Sequence, residues 1–176
     1  EGDGVDCEGE PNSAGASAKM QAIGLAKARG ASEWIRDLLG IEQGGGDVTA
    51  RDWRDMSEEQ QKDHADSLQQ MPKTVIFAHH RSVMDYVEDK VLRQMPRDWG
   101  DEKRLPYIRV DGGTSGEERD VGRELFRNDD NCRVALVSVT AGGVGIDFSR
   151  GSVVIFVELP LAHLVEQAED RVHRQG

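Results

Sequence analysis

Gln167, Arg171 and Arg174 are spaced i, i+4 and i+7, so a helix would carry all three on one stripe. Two guanidinium groups about one turn apart can reach the same polyanion. Arginine suits that task because its planar fork donates paired hydrogen bonds to phosphate oxygens. The alternative is a solvated face on which Glu166, Glu169 and Asp170 pair with the same arginines.

Three further clusters can do chemistry. Gly142, Gly143 and Gly145 lie within four positions, so backbone N–H groups there can approach a ligand closely, and Asp147 can accept from a ribose hydroxyl. A tight turn after a strand explains the same glycines, and the pattern is not a dinucleotide fingerprint. Asp111-Gly-Gly-Thr-Ser opens a helix and offers hydroxyls and N–H groups to a phosphate. A well-capped helix, with Thr114 as N-cap and Glu117 closing a capping box, accounts for it equally. His79, His80 and Arg81 leave a strand together and can meet a nucleic-acid backbone, although a polar strand exit would look the same. No third ligand is spaced to make the histidines a metal site.

These clusters need elements to position them. Residues 74–78 (TVIFA), 107–110, 134–139 (VALVSV) and 152–157 (SVVIFV) read as buried parallel strands. Helices are expected over 82–95, from Thr114 to about 127, and over 161–175. The last carries Leu161, Leu164, Val165, Ala168 and Val172 as its apolar stripe. Alternating strands and helices predict an α/β fold, a parallel sheet covered on both faces. Function in such sheets gathers beyond the C-terminal strand ends, where HHRS, DGGTS and TAGGVGID all fall.

Upstream, residues 18–41 read as a helix with Trp34, Ile35, Leu38 and Leu39 on its apolar side, Ser32 as an N-cap and Gly40 as its stop. Residues 42–71 are polar and read as a mobile insertion, with few side chains to hold them to a core. Residues 1–17, rich in glycine and acids, are expected to be disordered.

The net charge of −11 opposes a nucleic-acid role at first sight. Its distribution weakens that objection. Residues 1–17 hold Glu1, Asp3, Asp6, Glu8 and Glu10 without a Lys or Arg, and 42–71 hold eight acids against three basic residues. The remainder is close to balance and permits a local basic patch. Cys7 and Cys132 lack a paired spacing, so they read as thiols of a reducing compartment rather than zinc ligands. No apolar run reaches the roughly 20 residues that span a bilayer, so no membrane partner is expected. GxxxxGK[ST], the Walker A phosphate cradle, does not occur. Arginines fit for finger duty without that cradle suggest one half of a two-lobed motor.

Four segments in order carry a family resemblance. Residues 74–85 (TVIFAHHRSVMD), 111–119 (DGGTSGEER), 137–147 (VSVTAGGVGID) and 167–176 (QAEDRVHRQG) resemble helicase motifs IV, IVa, V and VI of Swi/Snf-type ATPases, a helicase-superfamily-two group. The FAHH and QAEDRVHR wording is most like the annealing-helicase, HepA-related branch. Residues 24–39 resemble the lead-in to its second lobe. In that family Trp-Asn-Pro stands between the fourth strand and motif VI, where this chain has Glu158-Leu-Pro-Leu-Ala-His163.

The resemblance implies a RecA-like second lobe over 72–176. Arg171 and Arg174 would reach the γ-phosphate of ATP, bound with Mg2+ mainly by a first RecA-like lobe of the same polypeptide, and Gln167 would help position their helix. Gly143, Gly145 and Asp147 would sit between nucleotide and DNA. His79, His80, Arg81, Thr114, Arg119 and Ser138 would grip the backbone of forked or duplex DNA without reading its sequence. The expected setting is the nucleus, or the cytoplasm in a prokaryote. Two other readings remain: the C-terminal lobe of an RNA helicase of the DEAD-box kind, and a non-catalytic module that binds nucleic acid or phosphate.

Overall fold

The computed structural model of the protein describes residues 13–41, 55–95, 105–140 and 148–158. Four strands, β1 (Thr74–Ala78), β2 (Tyr107–Val110), β3 (Val134–Ser138) and β4 (Val153–Phe156), form one sheet in the order β2-β3-β1-β4. Every pairing is parallel, with Ile76 beside Leu136 on one side and Ile155 on the other. All residues of β1 and β3 are buried, which explains why both strands are apolar throughout instead of alternating.

Each face of the sheet has its own core. On one, Ile76, Leu136 and Ile155 meet Val83, Met84 and Val87 of α3 (Arg81–Lys90) and Ala28, Ile35 and Leu39 from α1 (Ser13–Leu38) and its exit. On the other, Val75, Phe77, Ala135 and Val137 meet Phe126 of α4 (Gly116–Asn128) and Phe148. Phe77 stacks on Phe156 at 5.2 Å and meets Phe148 edge-on at 6.4 Å, and Phe126 meets Phe148 edge-on at 5.7 Å. The α/β architecture with helices on both faces is the one the alternating pattern predicts.

α1 departs from the sequence reading in three ways. It starts at Ser13, so residues 13–17 are helical where disorder was expected; the alanines at 14, 16 and 18 favour that extension. It runs unbroken past Ser32, whose hydroxyl donates back to the Ala28 carbonyl at 2.6 Å and caps nothing. Trp34 is 56% exposed, because the buried stripe runs through Gly24, Ala28, Ser32, Ile35 and Leu39 and leaves position 34 outside it. The expected stop holds: Gly40 takes φ +67°, and the Ile41 N–H reaches the Arg36 carbonyl at 2.9 Å.

The polar stretch before β1 ends in α2 (Glu58–Gln70), which opens with a capping box between Ser57 and Gln60. Its apolar residues are few, yet Leu68 and the following Met71 are buried in the α1–α3 core. Arg133 donates through Nε to the Met71 carbonyl at 2.8 Å and so fixes the end of α2 to the start of β3. Lys73, buried between them, donates to the Asp129 carbonyl at 3.0 Å beyond α4. Two apolar side chains and the charge-assisted bonds of Lys73 and Arg133 to carbonyls do here what a long apolar stripe does elsewhere.

Leu68→Ala should therefore cost about 2–4 kcal/mol in urea unfolding of the protein. An unchanged unfolding midpoint would mean that α2 is not held to the core.

Candidate functional site

Because all four strands run the same way, their C-terminal ends open on one edge. The chain leaves β1 at His79, β2 at Asp111, β3 at Val139 and β4 at Val157. Among the described residues, this edge brings His79, His80, Arg81, Thr114, Arg119 and Ser138 together. Gln167, Arg171, Arg174, Gly143, Gly145 and Asp147 lie outside the described residues, as does the expected helix over 161–175.

The turn after β1 is built around an acid from another strand. Glu158, only 7% exposed, accepts the N–H groups of His79 and His80 on Oε2, each at 2.8 Å. Its Oε1 meets Nδ1 of His80 at 2.6 Å. The His80 ring is thereby drawn inward, while His79 and Arg81 face solvent. The two imidazoles meet edge-on at 4.8 Å.

The turn after β2 closes on itself. The Asp111 carboxylate accepts from Gly113 N–H at 2.8 Å, the Asp111 N–H donates to the Thr114 hydroxyl at 2.9 Å, and Thr114 N–H returns to the Asp111 carbonyl at 3.1 Å. With the Thr114 hydroxyl held inside the turn, the N-cap falls one residue later than the sequence suggests. Ser115 caps α4, and Glu118, not Glu117, completes the box. The N–H groups of Gly113, Thr114, Ser115 and Glu118 thus all have partners within the chain. Arg119, on the first turn of α4, donates to the Asp111 carbonyl at 3.3 Å, and its Nε is buried without a hydrogen-bond partner among the described residues.

Arg109 on β2 holds this corner. Its guanidinium reaches Glu88 at 2.6 Å, Asp85 at 2.7 Å and Asp111 at 3.0 Å. Burial works against the charge, but the hydrogen bonds that Arg109 donates to Glu88, Asp85 and Asp111 more than offset it and hold Arg109 above its ordinary range. The Gly113 N–H holds the Asp111 carboxyl below the usual aspartate range; burial opposes this, and the charges of Arg109 and Arg81 assist it.

After β3, Ser138 is 4% exposed and shares a 2.9 Å hydrogen bond with the hydroxyl of Thr140, which is exposed. Thr140 is thus the outward-facing hydroxyl of the pair. Sequence reading assigned no site role to Glu158, Arg109 or Thr140. Two of them carried a signal: an acid directly behind the apolar run of β4, and an arginine inside a buried strand facing acids spaced i, i+3 on a helix.

Comparison with known proteins adds the following. The family model described as helicase conserved C-terminal domain matches residues 57–176. A SWI/SNF-related matrix-associated actin-dependent regulator of chromatin subfamily A-like protein 1 homolog from Caenorhabditis elegans is 42% identical over 106 residues, covering 59% of this chain and 14% of that protein. The human DNA annealing helicase and endonuclease ZRANB3 is 38% identical over 106 residues, covering 59% of this chain and 9% of its own length. A crystal structure of the C-terminal part of the Fun30 ATPase domain aligns with TM-score 0.49 at 27% identity, covering 60% of this chain and 31% of that one. The chain thus corresponds to a small part of these longer relatives.

The pH dependence of stability should carry the mark of Asp111. Its carboxyl titrates lower in the folded state than in the unfolded one, so its contribution is complete above the ordinary aspartate range and is lost as pH falls through the folded value. Between about pH 5 and 2 the denaturation midpoint should fall less steeply in Asp111→Asn than in the native chain. Parallel curves would contradict the assignment.

Proposed function

The chain belongs to the helicase conserved C-terminal domain family, and from that premise we propose that it is the C-terminal lobe of an ATP-dependent DNA translocase of the annealing-helicase kind, acting in DNA remodelling or repair. The observation that carries the reading is the gathering of His79, Arg81, Thr114 and Arg119 on the C-terminal edge of a parallel sheet. The family match runs from that edge through Gln167, Arg171 and Arg174. The relatives' names, with chromatin in one and DNA in the other, support the choice of DNA over RNA and a nuclear setting.

In this reading ATP and Mg2+ are held by a first RecA-like lobe of the same polypeptide. Bound ATP supplies the free energy of γ-phosphate transfer to water, and this chain supplies only side chains. Arg171 and Arg174 offset the negative charge that grows on the transferred group, while Gln167 orients their helix. Gly143, Gly145 and Asp147 line the path between nucleotide and DNA. His79, Arg81, Thr114 and Arg119 hold the DNA backbone, with His80 and Ser138 supporting from within. Contacts of this type follow phosphate spacing and ignore base identity, as a motor stepping along any sequence requires.

Arg171→Ala or Arg174→Ala in the full-length protein should lower DNA-stimulated turnover by about 10³-fold or more while largely sparing nucleotide binding. Phosphate release and nucleotide titration check this, and wild-type turnover in both variants removes the finger roles. The 176 residues alone should release no phosphate from ATP in the presence of DNA. Arg81→Ala should weaken binding equally on unrelated duplexes and reduce the slope of log affinity against log salt by about 1.

A further inference from the structure

We infer that Glu158 is a positioning residue for the DNA grip: its carboxylate sets the His79–Arg81 turn at the point where the chain leaves β4 toward Gln167, Arg171 and Arg174. The inference rests on the motor reading and adds a residue to it.

Three parts of the chain converge on this one carboxylate. Two consecutive backbone N–H groups, of His79 and His80, point at the same oxygen at 2.8 Å each, a geometry that fixes how β1 turns into α3. His80, the N-cap of α3, makes no side-chain capping bond of its own; its ring meets the second oxygen at 2.6 Å. Glu158 thus fixes the approach to α3 from beyond the end of β4, with its negative charge near the positive end of the helix dipole. The third part is α1. Gly24 lies directly against the carboxylate, where a Cβ would stand 2.2 Å from Oε1 and 2.8 Å from Cδ. Gln21, one turn earlier, donates to the Ser82 hydroxyl at 2.7 Å and ties α1 to the same turn of α3. Glycine here is demanded by close approach, not by backbone conformation, since α1 is helical throughout.

The sign of the charge sharpens the case. A carboxylate beside a surface that grips phosphates repels them, so an acid that acted only through charge would weaken DNA binding, and its removal would strengthen it. A positioning acid predicts the opposite. Without it, two part-buried N–H groups lose their acceptor, the turn relaxes, and His79 and Arg81 no longer present a fixed pair of donors. Glutamine at 158 separates the two effects. Its amide oxygen can accept from both N–H groups and its NH2 can donate to the imidazole Nδ1, so it keeps the geometry without the charge.

The test is the ATPase rate of the full-length protein as a function of duplex DNA concentration, in wild type, Glu158→Ala, Glu158→Gln and Gly24→Ala. Glu158→Ala should raise the half-saturating DNA concentration about tenfold and leave turnover at saturating DNA within about threefold. Glu158→Gln should stay within about threefold of wild type on both counts. Gly24→Ala leaves the charge in place but pushes the carboxylate off its partners, and should raise half-saturation like Glu158→Ala; it decides the matter if Glu158→Ala does not fold. Half-saturation unchanged or lowered in the alanine variants overturns the inference, as does a glutamine variant as impaired as alanine, or turnover and half-saturation worsening in step with a lowered Tm. Wild-type protein that shows no DNA-stimulated turnover overturns the motor reading itself, and this inference with it.

Discussion

β1 and β3 are buried on both faces, and that single condition decides where this chain can do chemistry. A strand covered above and below has no solvated side, so any polar group along it must find a partner or be replaced by an apolar one. The four strands obey: Thr74 and Ser138 at the strand ends and Arg109 in β2 are the main polar exceptions. Thr74 donates to the Pro72 carbonyl at 3.0 Å, Ser138 shares a bond with Thr140, and Arg109 is enclosed by three acids. Polar function is thereby pushed to the loops. Because the strands are parallel, the loops beyond their C-terminal ends share one edge.

That edge is organised by two buried charge clusters of opposite centre. At Arg109 one cation gathers Asp85, Glu88 and Asp111, and so ties α3, β2 and the DGGT turn together. At Glu158 one anion gathers two backbone N–H groups and an imidazole, and so ties β4, the β1 exit and α1 together. Desolvating a charge is costly, and it is sustained only where partners fill its hydrogen-bonding capacity. Each centre meets that condition with at least three contacts.

The acidic overall charge fits a grip on DNA once its placement is considered. Much of the negative charge precedes β1 in sequence, in residues 1–17 and 42–71. At the edge itself Glu88, Asp111 and Glu158 turn onto Arg109 or backbone N–H groups, while Arg81 and His79 face solvent, as do Asp85, Glu117 and Glu118. The local potential follows which groups are exposed and unpaired, and the sum over the chain says little about it.

The sequence alone determined the four strands, the helices that follow β1 and β2, the stop at Gly40 and the gathering of loops at one edge. Those features follow from short-range rules: apolar runs, helical spacing, and glycine where φ is positive. It also carried the family resemblance, since motif wording is a property of the chain and needs no coordinates. Tertiary structure decided what depended on distant partners. Trp34 went to solvent because packing against α3 chose a different stripe of α1. α2 joined the core through Leu68, Met71 and a bond from Arg133, 62 positions beyond Met71. The cap of α4 moved to Ser115 because Thr114 was already bonded within its own turn. Glu158 stood in the sequence only as the first residue of the stretch in place of Trp-Asn-Pro, and the parallel pairing of β4 with β1 set it against His79 and His80. A charge buried by the fold is defined by neighbours far away in sequence, and no local pattern encodes them.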